Sequence, residues 1–273
     1  MDRNYQVSVL APPAWPFVEI FLEIAELLRL SLESAGYPAR LTLNELSPSA
    51  TNIIVGYNFF AEAPPLSGYD CIVYQLEQLN QRDDRFNTEW MDRLRRARLI
   101  WDYSSQNIAF LKSHGFDNVR HVPVGYHPAL QRIPPRAEKD IDVLLYGSIN
   151  ERRRHVMRQL RERCRVEMAF RIYGQQRDEL IARSKIVLNV HLHEGAIFEQ
   201  ARVSYLLNNQ RFVVSEESGD LPYAAIVTAP YDALADTCLR YLAQPEEMDR
   251  LAAEAARRFR EMRMQDFVTA ALS

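Results

Sequence analysis

Glycine and cysteine are scarce in this sequence, and long apolar runs are absent. Only nine glycines occur among 273 residues, and neither G-x-G-x-x-G nor G-x-x-x-x-G-K-[ST] is present, which argues against the usual dinucleotide-binding and P-loop sites. The cysteines, Cys71, Cys164 and Cys238, are scattered and odd in number, so we expect reduced thiols and neither a disulfide framework nor a zinc site. No apolar stretch approaches the roughly 20 residues that span a bilayer, so no integral membrane segment is expected.

The sequence also lacks an excess of charge of either sign. It has 33 basic and 36 acidic residues, a formal net charge of -3, so we expect no nucleic-acid partner and only local basic sites. A composition of 47% hydrophobic and 25% charged residues is typical of a globular protein. Residues 1–5 lead directly into a strand-like run without a signal-peptide pattern, so we expect a cytoplasmic protein.

Strand-like and helix-like segments alternate along the chain, which is typical of βαβ units and a mostly parallel sheet. In the first half the predicted strands are 6–11, 40–43, 52–55, 70–74, 99–102 and 119–122, with helices at 17–35 and 105–113. In the second half the predicted strands are 142–146, 167–172, 186–190, 212–215 and 226–228, with helices at 150–163, 177–183 and 197–208 and an apolar helical stripe from 248 to 262.

A segment without periodicity separates the two alternating patterns. Residues 128–139 contain three prolines and several charges, which is typical of a linker. A chain of this length is long for one compact core and sufficient for two small ones. The sequence therefore predicts one domain over 1–127, a linker over 128–139 and a second domain over 140–273.

The first candidate site follows the predicted strand DVLLY. Gly147 turns the chain, and Ser148 and Glu151 have the spacing of a capping box, so a helix is expected to begin at the carboxyl end of a parallel strand. Backbone N–H groups there attract anions, and Arg152 and Arg153 would add charge-assisted hydrogen bonds. This edge of an open α/β sheet is also where ligands bind. The alternative is a capped surface helix whose arginines face solvent.

The second candidate site lies in the run KIVLNVHLHEGAIFEQARVSYLLNNQRFVVSE. Its helix carries Glu199 and Arg202, three residues apart and therefore neighbours on one face. A carboxylate accepts hydrogen bonds from both hydroxyls of a ribose, and a guanidinium can clamp a diphosphate. The alternative is a surface ion pair that contributes only a few tenths of a kcal/mol.

The loop before that helix contains His191, His193 and Glu194. In one interpretation the two histidines are the polar end of a buried strand. In the other, His191, His193 and Glu194 bind zinc, although their spacing lacks the HExxH form.

Further polar residues follow predicted strands. Tyr173 and Gly174 form a strand-to-helix turn against which a base could lie, although a plain connection explains them equally well. Glu77 and Asp102 lie at or just beyond the ends of predicted strands of the first half, where a ligand would bind. A base that deprotonates a hydroxyl group there must be a carboxylate or a histidine. Asp102 could instead cap the next helix. His193 is the next candidate for the base.

These segments together resemble bacterial GT-B-type glycosyltransferases, the family-1-like proteins often found beside polysaccharide genes. In the second half the resemblance rests on DVLLYGSINERRR, IYGQQRDELIARSKIVLNVHLHE and FEQARVSYLLNNQRFVVSE. In the first half it rests on YQLEQL, WDYSSQNIAFLKSHG and HVPVGYHP. It covers most of the chain from about residue 70 to residue 216.

The resemblance implies a GT-B-like α/β fold, in which two Rossmann-like domains with mostly parallel sheets face each other across a cleft. The first domain would be the acceptor side, and the second would hold the nucleotide-sugar donor. The residues expected at the donor are Gly147, Ser148, Arg152, Arg153, Tyr173, Gly174, Glu199 and Arg202. Where the common retaining-type family has two glutamates eight residues apart, this chain has His191 and Glu199.

The function implied is transfer of a sugar from a nucleotide-diphosphate sugar to a glycan or another hydroxyl acceptor, in polysaccharide biosynthesis. Many such enzymes need no metal, because side chains and helix N-termini offset the diphosphate charge. We therefore expect no cofactor and no metal site; Asp83 and Asp84 are adjacent and do not form a spaced DxD pair. Two alternatives stay open, a non-catalytic nucleotide-sugar or glycan-binding subunit and a nucleotide-sugar epimerase of GT-B fold.

Overall fold

The computed structural model describes residues 4–12, 18–57, 66–79 and 88–273. Two features of the sequence, the start of the predicted first helix at Phe17 and the pair Asp83 and Asp84, lie outside these residues. Within the described ranges, no helix combines the length and the apolar character that crossing a bilayer requires.

The chain divides into two compact units. Unit 1 comprises Met1–His127 together with Arg263–Ser273, and unit 2 comprises Pro128–Met262. Each unit is built around its own parallel sheet.

The described residues of unit 1 form a six-stranded sheet with the order β2-β1-β3-β4-β5-β6, in which all the strand pairs are parallel. The strands are β1 (Tyr5–Val9), β2 (Ala39–Leu43), β3 (Thr51–Val55), β4 (Asp70–Gln75), β5 (Leu99–Asp102) and β6 (Val119–His121). The α-helices described for this unit are α1 (Glu19–Ser34), α2 (Thr88–Leu94), α3 (Ser105–Ser113) and α9 (Met264–Leu272).

Burial explains why the short apolar runs of unit 1 form strands. Every residue of β1 and β3 is buried, as expected for central parallel strands covered on both faces. The predicted apolar stripe of α1 is buried at Phe21, Ile24 and Leu28. The six predicted strands of this half match β1 to β6 in number and order.

Unit 2 contains a five-stranded parallel sheet with the order β11-β10-β9-β7-β8. The strands are β7 (Ile141–Tyr146), β8 (Val166–Ala169), β9 (Ser184–Asn189), β10 (Val213–Glu216) and β11 (Val227–Ala229). Its described α-helices are α4 (Glu151–Arg161), α5 (Gly174–Ala182), α6 (Gln200–Asn208), α7 (Leu234–Leu242) and α8 (Pro245–Arg260). The predicted α/β class with mostly parallel sheets is confirmed in both units.

The last helix belongs to unit 1, which corrects the predicted boundary. The sequence places 140–273 in one domain, but α9 contacts α1 and completely buries Met264 and Val268. The backbone N–H of Met264 donates to the carbonyl of Tyr126 at 3.0 Å. The predicted stripe over 248–262 corresponds to α8 in unit 2, and α9 follows it as a separate helix of unit 1.

Residues 128–139 form part of unit 2 and not a free linker. Leu130 and Ile133 are buried. The side-chain oxygen of Asn209, beyond α6, accepts hydrogen bonds from the backbone N–H groups of Arg132 at 2.7 Å and of Ile133 at 2.9 Å. Arg211 donates to the carbonyl of Ile133 at 2.7 Å. Hydrogen bonds with Asn209 and Arg211 therefore hold the middle of this segment against the end of α6.

At the start of β7, Asp142 holds charged neighbours in place. Its carboxylate accepts hydrogen bonds from Lys185 Nζ at 2.7 Å and from the backbone N–H of Arg165 at 2.8 Å, and its side chain is 12% exposed. Burial by itself raises the pKa of Asp142, but the bonds to Arg165 and Lys185 outweigh it and lower the pKa from 3.8 to about 2. Because the folded pKa is depressed, this stability is present above the unfolded pKa and is lost as pH falls through the folded one.

We expect Asp142→Asn to lower the free energy of unfolding by about 1–2 kcal/mol at about pH 7, and by less at about pH 3. The matched control is Asp140→Asn. Asp140 also has a pKa lowered to about 2 by its hydrogen bond with Arg183, but its side chain is 57% exposed, so solvent screens the pair. Urea unfolding at both pH values measures the difference. Equal losses in the two variants, or a loss independent of pH, would contradict this explanation.

Candidate functional site

The strand order of unit 2 reverses between β7 and β9, which lie side by side in the sheet. From β7 the chain goes to β8 on one side, and from β9 it continues to β10 and β11 on the other. In open α/β sheets, ligands bind at the carboxyl ends of strands at such a reversal. The residues at or just beyond these ends are Gly147 after β7, 189–191 at β9 and Glu216 at β10.

The turn after β7 depends on a glycine. Gly147 has a φ of +109°, and a Cβ atom placed on it would lie 2.5 Å from Nη2 of Arg202. Both the left-handed backbone and the close approach favour glycine here. Gly147 thus allows the Arg202 guanidinium to lie directly against the backbone at the carboxyl end of β7.

Helix α4 begins after a different cap from the predicted one. Asn150 is the N-cap, and its Oδ1 accepts a hydrogen bond from the backbone N–H of Arg153 at 3.0 Å. Its Nδ2 donates to the carbonyl of Leu192 at 2.7 Å. The predicted capping box is therefore wrong: Ser148 is exposed, and Glu151 pairs with arginines along the helix. Asn150 both caps α4 and ties it to the loop after β9.

Arg153 is buried between the loop after β7 and the loop after β9. Its Nε donates to the carbonyl of Val190 at 2.8 Å, its Nη1 donates to the carbonyl of Ser148 at 2.7 Å, and its side chain is 3% exposed. Nη2 lies 3.5 Å from Oε1 of Glu199. Burial lowers the pKa of Arg153 to about 10, and the charge of Arg202 acts in the same direction. The side chain is still charged at neutral pH and fastens the loop after β7 to the end of β9.

Arg152 is also held by the chain itself. Its guanidinium forms a two-point ion pair with Glu216, in which Nη1 and Oε2 are 2.6 Å apart and Nη2 contacts Oε1. Nη1 donates to the carbonyl of His191 at 3.0 Å, and the guanidinium carbon lies 3.9 Å from the ring centroid of Tyr231. The hydrogen bond with Glu216 raises the pKa of Arg152. The contacts described here show that Arg152 and Arg153 hold the loop after β9 in place, and that Arg153 also holds the loop after β7. The phosphate-binding role of both residues stays a prediction.

Glu199 and Arg202 meet through Asn189 at the end of β9. Arg202 Nη1 donates to Asn189 Oδ1 at 2.9 Å, and Asn189 Nδ2 donates to Glu199 Oε2 at 2.9 Å and to Ser215 Oγ at 3.0 Å. Asn189 is fully buried, and the side chain of Glu199 is 16% exposed. These contacts exclude the alternative of a surface ion pair.

His191 is the second partner of Glu199. Its Nδ1 lies 2.8 Å from Glu199 Oε2, and its Nε2 lies 3.1 Å from the carbonyl oxygen of Glu217. Burial raises the pKa of Glu199, but the hydrogen bond with His191 and the charge of Arg202 outweigh it and leave the pKa lowered. Burial lowers the pKa of His191, but the hydrogen bond and charge of Glu199 leave it raised.

The zinc alternative finds no support in this geometry. His191 uses both ring nitrogens within the protein, while His193 and Glu194 are exposed. In the part of the chain that the structure describes, no group of three or more histidine, cysteine, aspartate or glutamate side chains is arranged to hold a metal ion.

Arg202 differs from the other two arginines. Its guanidinium is half-buried, lies 5.4 Å from the ring centroid of Tyr146, and donates to the amide of Asn189. Among the described residues, no carboxylate forms an ion pair with it. An anion at this edge of the sheet would therefore gain a strong partner at Arg202 without breaking an existing ion pair.

The remaining predicted residues of unit 2 lie at the same edge. Tyr173 is the N-cap residue of α5, and Gly174 has a φ of +51°. They follow β8, whose last residue Ala169 accepts a hydrogen bond from the N–H of Gly147 at 2.9 Å. His193 is exposed in the loop after β9. Their roles at a base and in proton transfer stay predictions.

Glu77 and Asp102 lie in unit 1, at the carboxyl ends of β4 and β5. Asn107 joins them, because its Nδ2 donates to the carbonyl of Glu77 at 2.8 Å and to Asp102 Oδ1 at 3.0 Å. Asp102 is fully buried, and burial raises its pKa well above the ordinary value. Glu77 is half-buried, and the roles of Glu77 and Asp102 as the base for an acceptor stay predictions. The cap of α3 is Ser104 and not Asp102.

Sequence reasoning missed three residues that organise the site. Asn150 caps α4, Asn189 joins Glu199 to Arg202, and Glu216 pairs with Arg152. The sequence contains a signal for Asn189 and Glu216, because each is the polar last residue of a mainly apolar strand, KIVLN and VVSE. The carboxyl ends of parallel strands lie at one edge of the sheet, where ligands bind.

Comparison with known sequences gives limited coverage. No protein-family model matches the chain. Uncharacterized protein L140 of Acanthamoeba polyphaga mimivirus is 32% identical over 156 residues, which are 52% of this chain and 50% of that protein. Protein L137 of the same virus is 28% identical over 141 residues, 48% of this chain and 19% of that protein. The chain thus spans half or less of the length of these curated relatives.

Solved structures match nearly the whole chain. T4 phage β-glucosyltransferase, in complex with UDP and Mn²⁺, has a TM-score of 0.62 with 13% identity and covers 99% of both chains. AviGT4, a glycosyltransferase involved in avilamycin A biosynthesis, has a TM-score of 0.57 and 16% identity to this chain. The match covers 97% of this chain and 96% of AviGT4. The chain therefore has the GT-B glycosyltransferase fold, as the sequence resemblance implies.

Proposed function

We propose that this protein is a glycosyltransferase whose unit 2 binds a nucleotide-diphosphate sugar at the carboxyl edge of β7 and β9. The observation that carries the proposal is the convergence of Arg152, Arg153 and Arg202 with Glu199 and Glu216 at the strand-order reversal. Guanidinium groups in a partly buried setting are suited to diphosphate oxygens. The fold supports the same assignment, since T4 phage β-glucosyltransferase is known in complex with UDP.

The proposed donor contacts follow from which groups the chain leaves available. Arg202, beside Gly147, takes the diphosphate. Oε2 of Glu199 accepts hydrogen bonds from Asn189 and His191, whereas Oε1 has only the longer contact with Arg153, at 3.5 Å. Oε1 is therefore the oxygen proposed for the ribose hydroxyls. Ser148 and the starts of α4 and α5 complete the donor side, with Tyr173 and Gly174 proposed beside the base.

On the acceptor side, we propose a glycan or another hydroxyl compound, with Glu77, Asp102 or His193 as the base. We also propose that transfer needs no metal, because positive side chains offset the diphosphate charge. Polysaccharide biosynthesis in the cytoplasm is the setting that the sequence resemblance favours. Transfer that stops with a chelator and returns with a divalent ion would contradict the metal-independent part.

The test is incubation of the full chain with a panel of UDP, GDP, dTDP, CMP and ADP sugars, with and without hydroxyl acceptors. We expect release of the nucleotide from at least one donor, and loss of that release in Arg202→Ala. Binding without release would favour the non-catalytic subunit. Recovery of an isomeric nucleotide sugar would favour the epimerase. Neither binding nor release with any donor would contradict the proposed function.

A further inference from the structure

The side chain of His191 contacts two acceptors from opposite sides. It is 2% exposed, and it lies just beyond β9, where the loops of the candidate site converge. Nδ1 faces the carboxylate of Glu199 at 2.8 Å, and Nε2 faces the main-chain carbonyl of Glu217 at 3.1 Å. Both contacts are within hydrogen-bond distance.

The partners decide where the protons of His191 are. A main-chain carbonyl only accepts hydrogen bonds, so Nε2 carries a hydrogen. Oε2 of Glu199 also accepts from Asn189 Nδ2, and the orientation of that amide is fixed because its Oδ1 accepts from Arg202. With Glu199 as a carboxylate, Nδ1 of His191 must donate too. A ring that donates from both nitrogens is an imidazolium.

We propose that His191 is a positioning residue held as an imidazolium, which orients Glu199 and supplies the second net positive charge of the donor site. This inference rests on the proposed function. Among the side chains that hydrogen bonds and ion pairs join at this edge, the cations are Arg152, Arg153, His191 and Arg202, and the anions are Glu199 and Glu216. Four positive charges against two negative ones leave two. Two ionised phosphate groups of a nucleotide-diphosphate sugar carry the matching charge.

Charged groups from three elements face His191. Arg152 of α4 donates to the carbonyl of His191, and Oε2 of Glu216 at the end of β10 accepts a hydrogen bond from its backbone N–H at 3.0 Å. Glu199, the N-cap residue of α6, faces the ring, and Arg202 of α6 lies beyond Asn189. Burial lowers the pKa of His191, but the hydrogen bond and charge of Glu199 and the charge of Glu216 outweigh it and leave the pKa raised. The ring is therefore charged below that pKa, and it loses its charge as pH rises through it.

The test is calorimetric titration of UDP, GDP and ADP into wild type and His191→Asn, from about pH 6.5 to about pH 9. Asparagine keeps a neutral amide donor for Glu199 but removes the charge. For the nucleotide that wild type binds, we expect about tenfold weaker binding in His191→Asn at neutral pH. We also expect wild-type affinity to fall towards alkaline pH more steeply than that of the variant. His155→Asn, at an exposed position of α4, is the control and should match wild type.

Equal affinity and an equal pH profile in wild type and His191→Asn would overturn the inference while leaving the proposed function standing. If wild type binds no nucleoside diphosphate, the proposed function fails, and the matching of charge to a diphosphate fails with it. NMR of the imidazole ¹⁵N nuclei in the ligand-free protein decides the protonation separately, with His191→Asn identifying the signals. Two protonated ring nitrogens at neutral pH support the imidazolium, and a neutral ring overturns it.

Discussion

Replacing Arg202 with alanine is expected to weaken binding of a nucleoside diphosphate by roughly 10- to 100-fold, while unit 2 stays folded. The side chain donates to the amide of Asn189 and lies near the ring of Tyr146, and it takes part in no ion pair with the described residues. Its removal therefore leaves no buried carboxylate without a partner. The loss falls on the phosphate, which gives up a charge-assisted hydrogen bond in a partly desolvated site.

Calorimetric titration of UDP, or of whichever nucleoside diphosphate binds, measures this effect, and urea unfolding shows that the fold is kept. Arg240→Ala is the control. Arg240 also lies over a tyrosine ring, 4.8 Å from the centroid of Tyr241, but on α7 and exposed to solvent. It should bind as wild type does. Unchanged affinity in Arg202→Ala would remove this arginine from the donor site.

Replacing Arg153 with methionine is expected to lower the free energy of unfolding by about 2–4 kcal/mol. The methionine keeps an apolar stem in a site that is 3% exposed, but it removes the donors to the carbonyls of Val190 and Ser148. Glu199 keeps His191 and Asn189 as partners. The loss of stability therefore comes from the carbonyls that lose their donor, above all the buried carbonyl of Val190.

The matched control is Arg154→Met, one residue along the chain. The side chain of Arg154 is 54% exposed, and its ion pair with Glu151 has a separation of 3.9 Å, so the expected loss is less than about 1 kcal/mol. Urea unfolding, together with hydrogen exchange of the β7 and β9 amides, measures both variants in unit 2. Similar small losses would mean that Arg153 does not fasten the loops.

The positions of the strands along the chain are predictable, because parallel strands covered on both faces contain short apolar runs such as 53–55 and 143–145. The spacing of apolar residues cannot show that two consecutive helices, α8 and α9, pack in different units. Met262 and Met264 lie on either side of the break between the units, and nothing in the apolar spacing marks that α9 packs on α1. The cap of α4 is a similar case, because Ser148 and Asn150 are both good caps and the geometry selects Asn150.

The candidate site is predictable where its residues are close in sequence, as Glu199 and Arg202 are. It is not predictable where contacts depend on which strands are neighbours. Glu216 reaches Arg152 across 64 positions of sequence, because β10 and β7 lie on either side of β9. Asp102 shows the converse, since a carboxylate after a strand looks the same in sequence whether it faces a ligand or is buried against Asn107.

The measurement that most directly tests the donor site in unit 2 is amide chemical-shift mapping on addition of UDP, followed by the other nucleoside diphosphates. We predict that the shifted amides concentrate at 147–153, 189–191 and 199–202, at the carboxyl edge of β7 and β9. The amino ends of the same strands, including Asp142, should shift little. Saturable binding with shifts confined to unit 1 or to the opposite edge of the unit 2 sheet would contradict the account, as would the absence of binding by every nucleotide.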